Sequence, residues 1–471
     1  MRLSIASPSI GALVLLGAGC SRPSNPGPLP PVVTAATATA SAVAPTDDAP
    51  AARQFAAWLA AFNGGKRDDL LAYHEQNFPY SAASDDVATI DKELGLSHGT
   101  GGFEVKKTEG GGTEITVTMK EKHSPQFASV TMQVDAAQPH RVQRFEIHPI
   151  PTPPEFQSDA ERAASQLDGA KRHALLEAIK QNIRAHYVLP DVGDRMIAAL
   201  DDHDSHGNYE GAADGPTFAS VVTMDLQAAS HDRHIRLIFG QLPSVLGVGE
   251  ESHEEHVARL RGMNFGFGTV ERLPGNVAHV VIDGFPEPIP EEKDAIAGFM
   301  TQIADADALV LDLRHNHGGD PHTVQVVVSY LVDAKPVHIN DMFWRDKGVT
   351  EQFWTLPDIK GTRFGSKKPV YVLTSHETFS GGEELAYDLQ ALKRGVIVGE
   401  TTGGGAHPGG PFDLDDWYHL VVPTGRAINP ITKKDWEGVG VVPDVSVPAD
   451  AALDEAQRRA LADIAKKAKS R

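Results

Sequence analysis

Apolar residues along the first part of the chain follow a helical spacing and then a strand spacing. The helical spacing ends at Asn63-Gly64-Gly65, a sequence typical of a helix terminus. Three apolar segments follow, and within them apolar and polar residues alternate as in half-buried strands. The helical positions are Phe55, Trp58, Leu59 and Phe62, and the strand segments are 115–119, 130–134 and 142–147. This order predicts an α+β domain over residues 51–150 with a meandering antiparallel sheet.

This layout resembles the nuclear-transport-factor-like domains, which would give the unit a role in ligand capture or in spacing. Spacing is the simpler expectation. The unit closes at the proline-rich segment 149–154.

The pattern changes twice more towards the C-terminus. Residues 157–240 carry helical spacings and predict a helical subdomain. Across residues 241–455, buried-type runs alternate with helical stretches, as in an α/β core whose ligands bind where strands end and helices begin. The predicted strands are 277–282, 308–313, 370–373 and 396–398, and the predicted helices are 324–331 and 383–392. Residues 456–471 are expected to form a charged C-terminal helix or tail.

The N-terminus has the form of an export signal. Arg2, a short apolar run and the small residues before Cys20 predict a signal peptide over residues 1–20. Its end resembles the lipobox of bacterial lipoproteins, which implies an acyl chain on Cys20 and an anchor to the membrane. The alternative is an ordinary cleaved signal with an incidental cysteine. Either interpretation predicts an exported protein, on the periplasmic side of a bacterial membrane, and residues 21–50 are predicted to be a disordered Pro/Ala/Thr linker.

Composition and charge narrow the function classes. The chain has 471 residues, of which 41% are hydrophobic and 23% charged, a balance typical of globular domains. Its formal net charge of -20 repels polyphosphate and disfavours nucleic acid as a partner. Since Cys20 is the single cysteine, an internal disulfide and a cysteine-based zinc cage are excluded.

Ser380 lies where a buried strand turns into a helix, in the sequence Thr378-Phe379-Ser380-Gly381-Gly382-Glu383. A serine at a helix start sits among unpaired N–H groups and the positive end of the helix dipole. The N–H of Gly381 would stabilise the oxyanion formed when Ser380 attacks a carbonyl. The alternative is structural, because Ser380 and Glu383 also form the capping-box pattern S-x-x-E.

A serine nucleophile needs a base, and His234 in Ser230-His231-Asp232-Arg233-His234 is the candidate. The pairs His231/His234, His253/His256 and His315/His317 also suggest metal ligands. Metal is the weaker interpretation, since the chain has no H-E-x-x-H helix and no acidic third ligand at suitable spacing. No metal and no cofactor are predicted.

Two glycine-rich segments accompany these residues. Gly318 and Gly319 follow a predicted strand, and either could supply a second oxyanion donor. The loop 399–407 lacks the Gly-Lys-Ser/Thr ending of a phosphate-binding loop, so we expect it to border a cleft.

Four motifs in this order resemble the C-terminal processing (tail-specific) peptidase family. They are L-D-L-R-x-N-x-G-G, T-S-x-x-T-F-S-G-G-E-E, V-G-E-T-T-G-G-G-A-H and W-E-G-V-G-V-V-P-D. The nearest branch is that of the tricorn protease core and the repeats of interphotoreceptor retinoid-binding protein. The resemblance implies a helical subdomain and α/β core of the tail-specific peptidase type, with Ser380 as nucleophile, His234 as base and Glu437 as distal carboxylate.

The sequence departs from the family pattern at three points. No lysine lies between Gly395 and Arg426, which argues against a Ser/Lys dyad. Arg233 occupies the place of the serine that lies beside the histidine in tricorn, and no segment is recognisable as a PDZ module.

Together these features predict an exported serine peptidase that cleaves peptide or protein substrates through an acyl-enzyme. The alternative is a non-catalytic periplasmic module that binds hydrophobic ligands on the same scaffold, as the retinoid-binding relatives imply.

Overall fold

Three helices and a mostly antiparallel sheet form the N-terminal domain. The structure is a computed structural model that describes residues 4–5, 49–78, 84–240 and 253–469. The helices are α1 (Pro50–Gly64), α2 (Arg67–Asn77) and α3 (Ser84–Thr100). The strands are β1 (Ser4–Ile5), β2 (Phe103–Gly111), β3 (Glu114–Glu121), β4 (Phe127–Val134) and β5 (Val142–Ile150), in the order β1-β5-β4-β3-β2.

The core of this domain follows from the predicted spacing. Phe55, Trp58 and Phe62 of α1 are buried against the sheet, and alternate residues of β3 and β4 are buried beneath them. The helix ends as expected, because Gly65 adopts a left-handed conformation at φ 61°. The antiparallel meander is confirmed, while the resemblance to nuclear-transport-factor-like domains stays a prediction.

Four helices follow. Three of them, α4, α5 and α7, begin at a residue whose side chain accepts a hydrogen bond from the first helical turn, and these caps are Ser158, Asp168 and Asp214. The helices are α4 (Asp159–Ser165), α5 (Gly169–His186), α6 (Pro190–Ser205) and α7 (Gly215–Ser230).

The segment predicted to be helical over residues 157–240 does not end as a helix. Its last residues form strand β6 (Arg236–Phe239), which pairs antiparallel with β15 (Tyr418–Pro423). The helices of this unit share a hydrophobic core with β6 and β15, as the packing of Phe218 with Tyr418 illustrates. A strand of four residues gains its stability from this pairing, which the local sequence does not reveal.

The second half of the chain is built on a six-stranded sheet of order β17-β13-β12-β9-β8-β7. Strands β8, β9, β12, β13 and β17 run parallel, and β7 is antiparallel to β8. The strands are β7 (Phe267–Leu273), β8 (Val277–Ile282), β9 (Ala308–Asp312), β12 (Val370–Thr374), β13 (Val396–Gly399) and β17 (Val445–Ser446). The four strands predicted for this region are thus confirmed.

Helices cover both faces of this sheet. Alternate strand residues pack in one core against helices α9 (Pro290–Ile303), α10 (Pro321–Leu331) and α11 (Gly381–Ala391). The other strand residues pack against α12 (Ala452–Lys469). The predicted tail at 456–471 is therefore the greater part of a helix that buries Ala456 and Ala460 on the sheet.

Two small sheets and one further helix complete the described chain. The sheets have the orders β11-β10-β16 and β14-β15-β6. Their remaining strands are β10 (His338–Trp344), β11 (Val349–Trp354), β14 (Gly409–Asp413) and β16 (Gly425–Ile428); the helix is α8 (His253–Gly262), and short 3-10 turns cover Pro154–Phe156, Asn264–Gly266 and Ala449–Ala451.

The chain is thus a multidomain α+β protein with an α/β core, as predicted. Cys20, most of the predicted signal peptide 1–20 and nearly all of the linker 21–50 lie outside the described residues. Within the described ranges, no helix combines the length and the apolar character that crossing a bilayer requires.

Candidate active site

Ser380 lies at the sharp turn between β12 and α11, in a strained backbone conformation. Its φ is 52° and its ψ is -121°, whereas a residue that caps a helix normally has an extended backbone. Positive φ at a residue other than glycine costs on the order of 1–3 kcal/mol and persists where the surrounding structure enforces it. A strained strand-to-helix turn of this kind exposes the nucleophile in α/β-hydrolases.

The predicted capping box explains only part of this turn. The Glu383 carboxylate accepts a hydrogen bond of 2.9 Å from the backbone N–H of Ser380, as the pattern S-x-x-E implies. A cap does not require positive φ, however, so capping alone does not account for the conformation of Ser380.

Glycines allow the loop after β9 to approach the Ser380 turn backbone to backbone. A Cβ atom on Gly318 would lie 2.6 Å from the Cβ of Ser380, and one on Gly382 would lie 2.6 Å from Oδ1 of Asn316. Phe379 donates its backbone N–H to the carbonyl of Asn316 at 2.9 Å. Since β9 and β12 are neighbours in the sheet, their carboxyl ends bring these two loops together.

Two backbone N–H groups at this junction are available to an oxyanion. Among the described residues, neither Gly319 nor Gly381 donates its backbone N–H to a protein acceptor. A Cβ atom on Gly381 would lie 3.1 Å from the nitrogen of Gly319, so the two groups are neighbours. The N–H of Gly318 is already donated to Oδ1 of Asn316 at 2.8 Å. Of the two predicted alternatives, Gly319 rather than Gly318 is therefore the free donor.

His234, distant in sequence, is brought to the segment that carries Ser380. Its ring packs against Phe379 with 4.7 Å between ring centroids, and Phe379 directly precedes Ser380. The imidazole is largely buried, at 16% exposure, and in the described part of the chain neither ring nitrogen has a hydrogen-bond partner. No hydrogen bond joins the ring to the Ser380 hydroxyl, and contacts of this kind are often loose before a substrate binds.

The carboxylate beside His234 belongs to Asp232. One oxygen of Asp232 accepts the backbone N–H of His234 at 2.9 Å and lies 3.5 Å from its Nδ1. The other oxygen accepts the Tyr187 hydroxyl at 3.0 Å and lies 3.1 Å from Nδ1 of His407. Although burial alone would raise it, the His234 and His407 rings hold the pKa of Asp232 well below its usual range.

Glu437 contacts His407 rather than His234. Its Oε2 lies 3.5 Å from Nδ1 of His407 and accepts the backbone N–H of Ala406 at 2.5 Å. Burial, together with the negative charge of Asp232, raises the pKa of Glu437 well above its usual range. The surroundings of the two carboxyl groups therefore favour the ionised form of Asp232 and the neutral form of Glu437.

Neither Asp232 nor His407 was predicted to be a site residue. Asp232 could have been found from its position two residues before His234. At this spacing an aspartate side chain commonly accepts a hydrogen bond from the backbone N–H of the residue two positions later. His407 ends the glycine-rich motif of the 399–407 loop, but nothing in that motif reveals that its ring faces Asp232.

Asp232, His407 and Glu437 are also the residues that could hold a metal ion. One donor atom from each lies within 4.8 Å of the others. These atoms already form protein contacts, since Asp232 Oδ2 accepts from Tyr187 and Glu437 Oε2 accepts from Ala406. The arrangement is therefore that of a hydrogen-bond network. Of the histidines considered as metal ligands, His315 lies instead 2.9 Å from the Glu377 carboxylate.

Glu383 fixes the glycine-rich loop to the Ser380 turn. Besides Ser380, its carboxylate accepts the N–H groups of Gly404 and Gly405, each at 2.7 Å, and the hydroxyl of Thr402 at 2.5 Å. Burial raises the pKa of Glu383 to about 7, although these four hydrogen bonds oppose the shift. One buried side chain thus positions both the nucleophile turn and the loop that leads to His407.

Comparison with known proteins places this site in a family. Residues 276–447 match peptidase family S41, and residues 169–261 match the N-terminal domain of Peptidase S41 in eukaryotic IRBP. The chain is 32% identical over 151 residues to the chloroplastic carboxyl-terminal-processing peptidase 2 of Arabidopsis thaliana, a match that covers 32% of this chain and 28% of that protein. It is 33% identical over 140 residues to the chloroplastic C-terminal processing peptidase of Tetradesmus obliquus, covering 30% and 28%.

The chain thus spans 28% of the length of these curated relatives. A similar solved structure is the photosystem II D1 C-terminal processing protease, at 16% identity and a TM-score of 0.39, over 63% of this chain and 99% of that one. The two matched regions contain Ser380, Glu437 and His234. Through them, this chain belongs to peptidase family S41.

Proposed function

We propose that the protein is a serine peptidase in which Ser380 is the nucleophile and His234 the general base. The observation that carries the proposal is the strained Ser380 turn, which lies beside two N–H groups without an acceptor, those of Gly319 and Gly381. The packing of His234 on Phe379 supports the choice of base. The absence of lysine between Gly395 and Arg426 supports histidine over a Ser/Lys dyad.

The proposed reaction has two stages. His234 removes the proton from the Ser380 hydroxyl, whose oxygen attacks the peptide carbonyl to give a tetrahedral oxyanion held by the N–H groups of Gly319 and Gly381. Protonated His234 then gives its proton to the leaving amine, and the peptide C–N bond breaks. Water attacks the resulting ester with His234 again as base, which releases the carboxylic acid and restores Ser380.

Asp232 has the position to orient and charge-stabilise the His234 ring. Its ionised carboxylate holds the backbone N–H of His234 and faces Nδ1 of the ring. Glu437, which the family resemblance makes the distal carboxylate, would act one step further away, by holding His407 against Asp232. In this proposal the relay runs from Ser380 through His234 to Asp232, with His407 and Glu437 behind it.

Export to the periplasmic side and a lipid anchor on Cys20 remain part of the proposal. They rest on the sequence of residues 1–20 alone.

Labelling with a fluorophosphonate tests the proposal, because this probe forms a covalent bond only with an activated serine. We expect the full chain to be labelled, and both Ser380→Ala and His234→Gln to lose labelling while remaining folded by circular dichroism. Ser205→Ala removes an exposed serine from the helical unit and should be labelled as the parent is. Peptide mapping should locate the label on Ser380.

A folded chain that is not labelled, or a Ser380→Ala variant labelled like the parent, would refute this mechanism. The first result would favour the alternative of a hydrophobic-ligand module. The groove of about 430 Å³ on the N-terminal domain does not support that alternative, because charged and polar side chains such as Arg53, Asp69 and His140 line it.

A further inference from the structure

Arg233 is an exposed cation between two residues of the proposed site, Asp232 and His234. Its guanidinium carbon lies 5.1 Å from the centre of the Phe379 ring, and its Nη1 lies 3.4 Å from the carbonyl oxygen of Gly403. Cation–π stacking of this kind holds an arginine in place and leaves the edge of its planar group able to donate hydrogen bonds.

The guanidinium has no anionic partner. In the part of the chain that the structure describes, no Asp or Glu oxygen lies within 4.0 Å of it, and its one hydrogen bond is the long contact with Gly403. Other arginines, such as Arg144 and Arg458, form close ion pairs with neighbouring glutamates. Arg233 therefore has unused donors beside the proposed nucleophile.

Phe379 connects this cation to the reaction centre. The same ring contacts both Arg233 and His234, and the next residue is Ser380. A group bound to Arg233 would therefore lie next to Phe379, the residue that precedes Ser380.

The net negative charge of the molecule makes a cation at position 233 important for binding an acidic peptide. A net charge of -20 repels an acidic peptide at long range, so favourable contact with one depends on a local cation. An arginine forms two parallel hydrogen bonds with a carboxylate, which an amide cannot replace.

We infer that Arg233 forms a subsite for a substrate carboxylate beside the proposed reaction centre. The inference rests on the proposed function, because it assigns a specificity to that same site. Two sources share the required chemistry: the C-terminal carboxylate of a peptide, and the side chain of Asp or Glu within the peptide.

The first experiment measures binding and does not depend on catalysis. Full-length Ser380→Ala protein is titrated with peptides that end in a free carboxylate or in an amide, and with internal Glu/Gln pairs. We expect about tenfold tighter binding of one carboxylate series over its neutral partner, the discrimination typical of a charge-assisted hydrogen bond. The series that shows the preference identifies the source.

The double variant Ser380→Ala/Arg233→Met should lose this preference, because methionine retains an apolar side chain over Phe379 but no charge. Arg233→Lys should retain part of it, and Arg162→Met, at an exposed arginine in α4, should leave it unchanged. An equal preference with and without Arg233, or no preference for carboxylate in the Ser380→Ala protein, would show the inference to be wrong.

The second experiment separates this inference from the proposed function. In Arg233→Met, the ratio of kcat/KM for the carboxylate substrate to that for the neutral substrate should fall about tenfold, and fluorophosphonate should still label Ser380. Equal losses for both substrates would mean that Arg233 supports the loop and does not recognise substrate. Loss of labelling in the parent would refute the proposed function and leave the binding experiment to test the subsite.

Discussion

At the scale of single residues, Ser380 has a strained backbone and Asp232 is a buried carboxyl group beside His234. The two have a common origin in backbone geometry. Ser380 has a positive φ at the helix start, and the short turn from Asp232 to His234 places a carboxylate oxygen 3.5 Å from Nδ1 of the ring. Neither feature stabilises the fold by itself, which is the usual mark of a functional position.

Substitutions of Asp232 and Glu437 distinguish the roles of the two carboxyl groups of the site. We expect Asp232→Asn to lower kcat by about 10³-fold, because the protonated His234 ring would lose its counter-charge. Glu437→Gln replaces a carboxyl whose surroundings favour its neutral form and which contacts His407 rather than His234, so it should lower kcat by less than about tenfold. Steady-state kinetics from pH 5 to 9 measure both effects, and the reverse order would assign the orienting role to Glu437.

At the scale of elements, sequence patterns located the long and strongly periodic segments well. The helix over α1 and the strands β3, β8, β9 and β12 lie where spacing predicted them, because each buries its apolar face in a local, regular pattern. Strand β6 and the sheet contact of α12 were missed. Both depend on partners far away in the sequence, β15 for the former and the buried face of the parallel sheet for the latter.

The candidate site was predictable to the same degree. Ser380, His234, Gly319 and Gly381 follow from motifs and strand ends, whereas the contacts of Asp232 with Tyr187 and His407 require the fold. The hydrogen bond that occupies Gly318 likewise depends on the side chain of Asn316. What the sequence could not provide is therefore the choice among groups that lie within a few ångströms of one another.

The hydrogen bonds accepted by Glu383, called the Glu383 clasp below, join helix α11 to the glycine-rich loop 399–407 and so connect two elements of the fold. Glu383→Gln would turn an amide NH₂ towards N–H donors, and at least one hydrogen bond to Gly404, Gly405 or Ser380 would be lost. We expect labelling of Ser380 to slow by about 10²-fold, with a loss of about 1–3 kcal/mol in the free energy of unfolding. Stopped-flow labelling and guanidinium unfolding measure the two effects.

The matched control for this clasp is Glu384→Gln, one position along the same helix. The side chain of Glu384 accepts a hydrogen bond from Asn340 and takes no part in the bonds to Ser380, Gly404 and Gly405, so its amide isostere should leave labelling within about twofold of the parent. Labelling of Glu383→Gln at the parent rate would contradict the role of the clasp.

At the scale of the whole molecule, the chain has a net charge of -20, yet several buried groups favour their protonated forms. Burial raises the pKa of Glu292 to about 7 and that of Asp388 well above its usual range. Against the effect of burial, the Asp312 and Glu271 carboxylates raise the pKa of His279 to about 9. In all three cases the folded protein binds a proton that the unfolded chain releases at lower pH, so all three link stability to pH in the same direction.

The free energy of unfolding should consequently fall as pH rises from 5 to 9. For Glu292 the loss begins near the ordinary glutamate pKa of 4.5 and is complete above about 7, with a size of ~3 kcal/mol at most. For His279 the stabilisation is fully present below 6.5 and disappears as pH passes about 9. Guanidinium unfolding at fixed ionic strength measures this slope. Glu292→Gln should flatten it between pH 5 and 7, whereas Glu287→Gln, at an exposed position just before α9, should not. A protein that becomes more stable towards pH 9, or a Glu292→Gln variant with an unchanged slope, would show that these buried acids are ionised throughout and that their solvation in the fold has been underestimated.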